Sequence, residues 1–523
     1  MIARYNAGRI GAALVLLVAL TGCDVAPVYR PVTMMLPASY RGAGPFIPAD
    51  PHAQILRSSW WKDFGDAKLD ALETQLDAAN PDLAAAQQTY VQARDAVGEA
   101  RAGLFPQLGV GAGASDNKES AHTLFRHEDG MLRQPSASYG AALTWQPDFW
   151  SQTHNMTLAA MNDAQRTNAQ LASARLSLEL ELATDYAAIR GLDAEHAVFT
   201  QAIGSYQTAV DITRMRLADR IASGLDVARA ENQLASAQVA DTDVRAQRAV
   251  LEHAIAVLVG ANPIDFRLAG QTASSMAVPV VPTGVPSSLL QRRPDIAAAE
   301  RAMAAANAQI GVARAAFYPN IRLDASAGFE DTGLGLAALP NSLWAIGATA
   351  MLPLFEGGLR HAELQASGSV FTQAADHYRA VVLHAFQQVE DNLALSARLA
   401  DEDRQQNDAL QSAVKVQKLA MLLYTDGIDN YLNVTVAQIA ALDAQVAEVQ
   451  LQTRRLQTSI GLIGALGGGW SATDLPAPQQ TLPPTGDLVT QNSPHNPQQI
   501  AAYCKAGTLV QDSLNINCGS GAK

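Results

Sequence analysis

The chain of 523 residues contains only three cysteines, so it is not a disulfide scaffold, and no two of them form a Cys-x-x-Cys pair. Its ten histidines include no His-Glu-x-x-His, so zinc chemistry lacks its ligands and no metal is expected. Charge is also scarce at 17%, and basic residues (37) are outnumbered by acidic ones (50). The net charge of −13 repels phosphate backbones, which excludes nucleic acid as a partner. No Gly-x-Ser-x-Gly elbow is present, and Gly109-Val110-Gly111-Ala112-Gly113 lacks the lysine and following helix of a phosphate-binding loop. Strand glycines explain that segment better, and nothing here reads as an enzyme. Hydrophobic residues make up 48% and mean hydropathy is +0.00, which fits neither a disordered chain nor a bundle of membrane helices.

The apolar run Ile10–Leu20, preceded by Arg4 and Arg9, is too short for a stable membrane span and reads as a secretory leader over 1–22. It ends in Leu20-Thr21-Gly22-Cys23, which resembles the lipobox of bacterial lipoproteins. Cys23 is then the expected mature N-terminus, carrying diacylglycerol and palmitate that anchor it to outer-membrane lipid. Asp24 follows it, a residue associated in enterobacteria with inner-membrane retention. Cys504 and Cys518 lie in a polar tail that export would place in an oxidising compartment, and they are candidates for a disulfide that staples the tail.

The chain aligns with itself. Residues 81–108 match 294–321 without a gap, identical at eleven of 28 positions that include Gly98/Gly311 and Arg101/Arg314. A second match pairs 221–227 with 428–434 and runs on through Ala230/Ala437 and Gly260/Gly467. Asn80-Pro81-Asp82 and Arg293-Pro294-Asp295 read as helix starts, with proline in the first turn and an acid suited to the dipole. From Thr153 to about Leu217, and from Leu359 to about Tyr424, helix-forming residues run on without proline. Each such helix would reach about 100 Å, too long for a compact globule. Return partners are expected from Leu225 to about Val259 and from Leu432 to about Leu466, where small alanines permit close packing.

Between the helices lie segments of period two. Ala137, Tyr139, Ala141, Leu143 and Trp145 share one face, as do Ile321, Leu323, Ala325, Ala327 and Phe329, and then Trp344, Ile346, Ala348 and Ala350. A weaker copy contains Leu108 and Val110. Strands are expected at about 106–115, 137–147, 319–329 and 343–353, each close to the ~9–11 residues that cross an outer membrane. Aromatic residues at their ends, among them Phe105, Trp150, Tyr318 and Phe355, suit a girdle at headgroup level. A half-buried soluble sheet would alternate in the same way. Four strands cannot close a barrel, and lipid does not tolerate open edges, so several chains would have to share one.

These residues, with Trp60-Trp61 and Phe64, Leu290-Gln291-Arg292-Arg293-Pro294-Asp295-Ile296, Phe317-Tyr318-Pro319 and Leu352-Pro353-Leu354-Phe355, resemble the TolC-like outer-membrane efflux proteins, in particular the NodT-type lipoprotein branch. The resemblance implies a mainly α fold with a transmembrane β-barrel portion. It implies a homotrimer in which four β-strands per chain complete a twelve-stranded barrel above a long α-helical periplasmic barrel. The division expected is leader 1–22, lipidated segment 23–65, first repeat 66–270, linker 271–289, second repeat 290–470 and polar tail 471–523. The implied function is the outer-membrane channel of a tripartite efflux system, a passive conduit for small molecules that works with a periplasmic adaptor and an inner-membrane pump of the resistance–nodulation–division (RND) type, and needs no cofactor. A channel for polypeptide secretion and a periplasmic adaptor lipoprotein are the alternatives.

In such a conduit the hairpin turns farthest from the barrel form the closable end, here near 217–226 and 424–433. The resemblance makes Asp429, with Asp426 and Tyr424, the first gate candidates, and Asp219 and Arg220 those of the other turn. Arg220 stands where the second turn has Gly427, the usual residue for a left-handed backbone. The first turn is therefore expected to differ in shape, with Gly224 taking that role.

Overall fold

The computed structural model describes residues 24–34, 40, 41, 59–118, 120, 133–271, 276–279, 281, 286–332 and 337–483. In chain order it places α1 (Ala67–Ala79), α2 (Pro81–Ala102), strands β1 (Gln107–Lys118) and β2 (Arg133–Trp145), α3 (Gln152–Ala218) and α4 (Gly224–Leu258). After a helical turn at Leu289–Arg292 come α5 (Pro294–Ala315), β3 (Asn320–Asp331), β4 (Ser342–Met351), α6 (Leu359–Thr425) and α7 (Tyr431–Ala465). The counterparts α2 and α5 have 22 residues each, α3 and α6 have 67, and α4 and α7 have 35.

The helix starts follow from local chemistry. Asp66 caps α1 by accepting from Lys68 N at 2.8 Å, and Asn80 caps α2 through Leu83 N at 2.8 Å while its own amide donates to Leu258 O. Pro81 and Pro294 sit in the first turns, where a missing N–H costs nothing. Ser223 and Asp226 form a capping box at α4. The long helices α3 and α6 end within one residue of the expected limits. β2 differs more: it begins at Arg133, four residues before the apolar alternation does, because Arg133-Gln134-Pro135-Ser136 still pair with β1 although they carry no apolar face.

The core lies where the helices pass at mid-length. Trp60, Phe64, Leu69, Leu72 and Leu76 of the N-terminal part pack on Leu182, Tyr186 and Ile189 of α3 and on Val389, Leu393, Ile460 and Ile463 of the second half. Burying such side chains contributes roughly 1.5–3 kcal/mol each. Acids are buried in this layer too. Glu73 is fully buried and neither carboxyl oxygen has a hydrogen-bond partner, so burial, with the charges of Glu179 and Asp77, pushes it up to about 10. Glu179, which accepts from Trp60 Nε1 and Arg175 Nε, is pushed up to about 7 by burial, against the pull of Arg175.

Beyond this core α3 and α6 run on in both directions, to the strands at one end and to the hairpin turns at the other. The strands form one antiparallel sheet in the order β1-β2-β3-β4, with β1 and β4 at its edges.

Candidate functional site: the sheet and the hairpin tips

The register of the sheet decides which side chains share a face. Val110 pairs with Ala141, Ala141 with Ala327, and Ala327 with Trp344, so one apolar row crosses all four strands. Leu108, Leu143, Ala325 and Ile346 make the next row. The opposite face carries polar contacts between β2 and β3 and along β3: Ser136 Oγ donates to Glu330 at 3.0 Å and Thr144 Oγ1 to Asp324 at 3.3 Å, while Arg322 pairs with Asp324. A soluble half-buried sheet would cover its apolar face. Here Val110, Trp344 and Ile346 are 86%, 75% and 79% exposed. At the helix end of the sheet Trp150 stacks on Tyr318 with centroids 4.7 Å apart, and its Nε1 donates to Pro319 O at 2.8 Å. Such rings, with an apolar body and one polar end, suit a membrane boundary. Among the described residues no helix is long and apolar enough to cross a membrane, and no cluster of three or more metal-ligating side chains is arranged to hold an ion.

The first residues described run along α5 close to the same end. Asp24 accepts from Asn155 Nδ2 at 3.0 Å, Val25 O from Arg314, and Pro27 O from Asn307 Nδ2 at 2.9 Å. Cys23, Cys504 and Cys518 lie outside the described residues.

At the far end the two turns are built alike. Arg216 O accepts from the amides of Ile221 and Ala222, and Leu423 O from those of Ile428 and Asp429. The expectation that the first turn differs in shape is corrected: Arg220 itself adopts the left-handed conformation at φ 60°, beside 76° for Gly427. Gly224 does not take that role, since it begins α4 without a positive φ. The hydrogen bonds of the turn force the conformation, and a non-glycine residue bears its cost of about 1–3 kcal/mol.

Asp429 keeps its carboxylate on Asn433 Nδ2, at 2.8 and 3.0 Å, and on Asn430 N at 2.7 Å. The Asn433 bond and then the Asn430 amide hold it below the usual carboxylate range. Asp426 is the C-cap of α6 and Asp219 that of α3; both are exposed, as is Arg220. Tyr424 is buried instead, edge-on to Tyr431 with centroids 5.2 Å apart. The sequence did not point to its partner. Arg216 of α3 lies 4.7 Å over the Tyr424 ring and donates through Nη1 to Thr425 O at 3.0 Å, tying the first hairpin to the second. Its counterpart in the second half is Leu423, so the internal match offered no signal for it.

The profile of the outer membrane efflux protein family matches residues 72–261 and 285–468, both halves of this architecture. The chain belongs to that family. It is 30% identical over 420 residues to the pyoverdine export outer membrane protein OpmQ of Pseudomonas aeruginosa, covering 79% of this chain and 88% of the relative. It is 27% identical over 497 residues to nodulation protein T of Rhizobium leguminosarum bv. viciae, covering 93% and 99%. Among solved structures, the outer membrane protein VceC of Vibrio cholerae superposes with a TM-score of 0.73 at 27% identity, over 79% of this chain and 99% of that one. As an outer membrane efflux protein, the chain is a channel component of the outer membrane, and the resemblance to TolC-like and NodT-type proteins holds.

Proposed function

We propose that three copies of this chain close into one conduit, with a twelve-stranded barrel in the outer membrane and a helical tunnel in the periplasm. Small molecules would leave through it, delivered by a periplasmic adaptor and an inner-membrane RND-type pump, and no bond would be made or broken. A pair of unpartnered faces carries this reading. Inside the chain α5 packs between its own long helix α6 and the preceding one, α3, where it covers Asn155, Ala159 and Asn162. Among the long helices α2 packs extensively on its own α3 alone and remains exposed along most of its length. The α6 positions equivalent to those three α3 residues, Ala362, Ala366 and Ser369, are exposed as well. The exposed α2 of one copy therefore fits the exposed α6 of the next, as α5 fits α3. The same step would join β4 to β1 of the neighbour and remove both open edges.

The twofold internal match of the sequence then makes six similar units around one axis. We further propose that Cys23 carries the lipid, since Asp24 is held close to the aromatic end of the sheet, and that the tips close the tunnel, with Asp429 as a carboxylate ring and Arg216 as the latch between hairpins. Substrate accumulation in a deletion strain tests the function. Complementation with the gene should lower accumulation of exported compounds, and equal accumulation with and without it would refute efflux.

A further inference from the structure

Both described ends of the chain are clasped by the same two positions of α2 and α5. On α5, Asn307 donates to Pro27 O, and a Cβ on Gly311 would stand 2.6 Å from that of Ala26. On α2, thirteen residues from its start like Asn307 on α5, Arg94 donates to Leu482 O at 2.9 Å. Four residues on, at the place of Gly311, a Cβ on Gly98 would stand 2.9 Å from Pro483 Cγ. The N-terminal and C-terminal straps thus occupy equivalent grooves on equivalent helices.

The two grooves differ in one wall. The Gly311 groove is walled by α3, where Asn155 Cγ lies 2.8 Å from the built Cβ. At Gly98 only Pro483 comes within 4 Å. The residue equivalent to Asn155 is Ala362 of α6, which is exposed and belongs to the other half of the molecule.

We propose that the C-terminal strap, residues 476–483, is an intersubunit staple that seats Pro483 between Gly98 of its own copy and α6 of a second copy at Ala362. The inference rests on the ring of Proposed function and deepens it by naming a segment that closes the seam. The strap is already fixed on one side: Gln165 donates to Pro476 O at 2.8 Å, Thr481 is fully buried, and Arg94 holds Leu482. Its outer side at Pro483 is where the second copy's helix would lie, as α3 lies on Ala26. The N-terminal strap works within one chain, and its counterpart would work between chains.

The test places cysteines at Pro483→Cys and Ala362→Cys in a background of Cys504→Ser and Cys518→Ser, in full-length protein purified in mild detergent. A disulfide needs Cα atoms within about 7 Å, so oxidation reads the contact directly. Expected is a ladder of two- and three-chain bands on a denaturing gel from the double variant and from neither single one. A trimer by light scattering that yields no ladder, or yields only an internal crosslink at one-chain mass, overturns the staple and leaves the ring standing. A monomer by light scattering overturns the ring and the staple together. A chain ending at residue 475 should still assemble but lose its resistance to dissociation by dodecyl sulfate on warming. Unchanged resistance also overturns the staple.

Discussion

The guanidinium of Arg216 lies 4.7 Å above the ring of Tyr424, between two helical hairpins far apart in the chain. The same side chain donates to the carbonyl of Thr425, so one residue holds both tips by a cation–π contact and a charge-assisted hydrogen bond. Arg216→Ala should loosen the tips at a cost of about 1–3 kcal/mol. In planar bilayers the variant should show a raised resting conductance, with Arg216→Lys between it and wild type. Wild-type resting conductance in Arg216→Ala would remove Arg216 from the gate.

Arg220→Gly should raise the melting temperature. The left-handed backbone costs glycine nothing in sterics and costs arginine about 1 kcal/mol or more. Gly427→Ala should do the reverse by a similar amount, because Gly427 has the same sign of φ. Thermal unfolding of the two variants beside wild type reads both signs.

The carboxylate of Asp429 is held below its ordinary range by Asn433 and Asn430, so it stays ionised across neutral and mildly acidic pH. Block of the closed channel by divalent cations should therefore stay constant from pH 8 down to about pH 5, since an unperturbed aspartate titrates near 3.9. It should weaken only below that. Asp429→Asn should abolish most of the block at every pH, and a variant blocked as strongly as wild type would contradict the assignment.

The folded state raises the pKa of Glu73 to about 10, so it binds a proton that the unfolded chain has released above the ordinary glutamate range. Stability from this group is full below about pH 4 and falls as pH rises through neutrality toward 10. Glu73→Gln should flatten that slope. At pH 8 it should be more stable than wild type, because the amide folds without the proton that Glu73 must take up. Melting curves from pH 5 to pH 9 check it: a variant with the wild-type slope would show that Glu73 is not the titrating group.

The sequence was most legible where one physical rule acts alone. Helix-forming composition over long runs placed α3 and α6 to within a residue, and alternation placed Val110, Ala141, Ala327 and Trp344 on one face before their register was known. It was least legible where a distant segment decides. Pro135 and its neighbours join β2 because Asp116 and Asn117 lie opposite them. Arg220 takes a glycine's conformation because the bonds of the turn outweigh its side chain. The coincidence of Gly98 with Gly311 could be read from the alignment, but its cause, a strap lying over each, needed residues 26 and 483 in place. Arg216 had no motif at all, because its partner is 208 positions away.

The central claim is that the chain encloses a pore only in the company of its copies. The most direct test is the mass of the detergent-solubilised protein by light scattering, corrected for bound detergent. Three chains per particle are expected; a particle of one chain that still conducts in bilayers would show that a single copy encloses the pore.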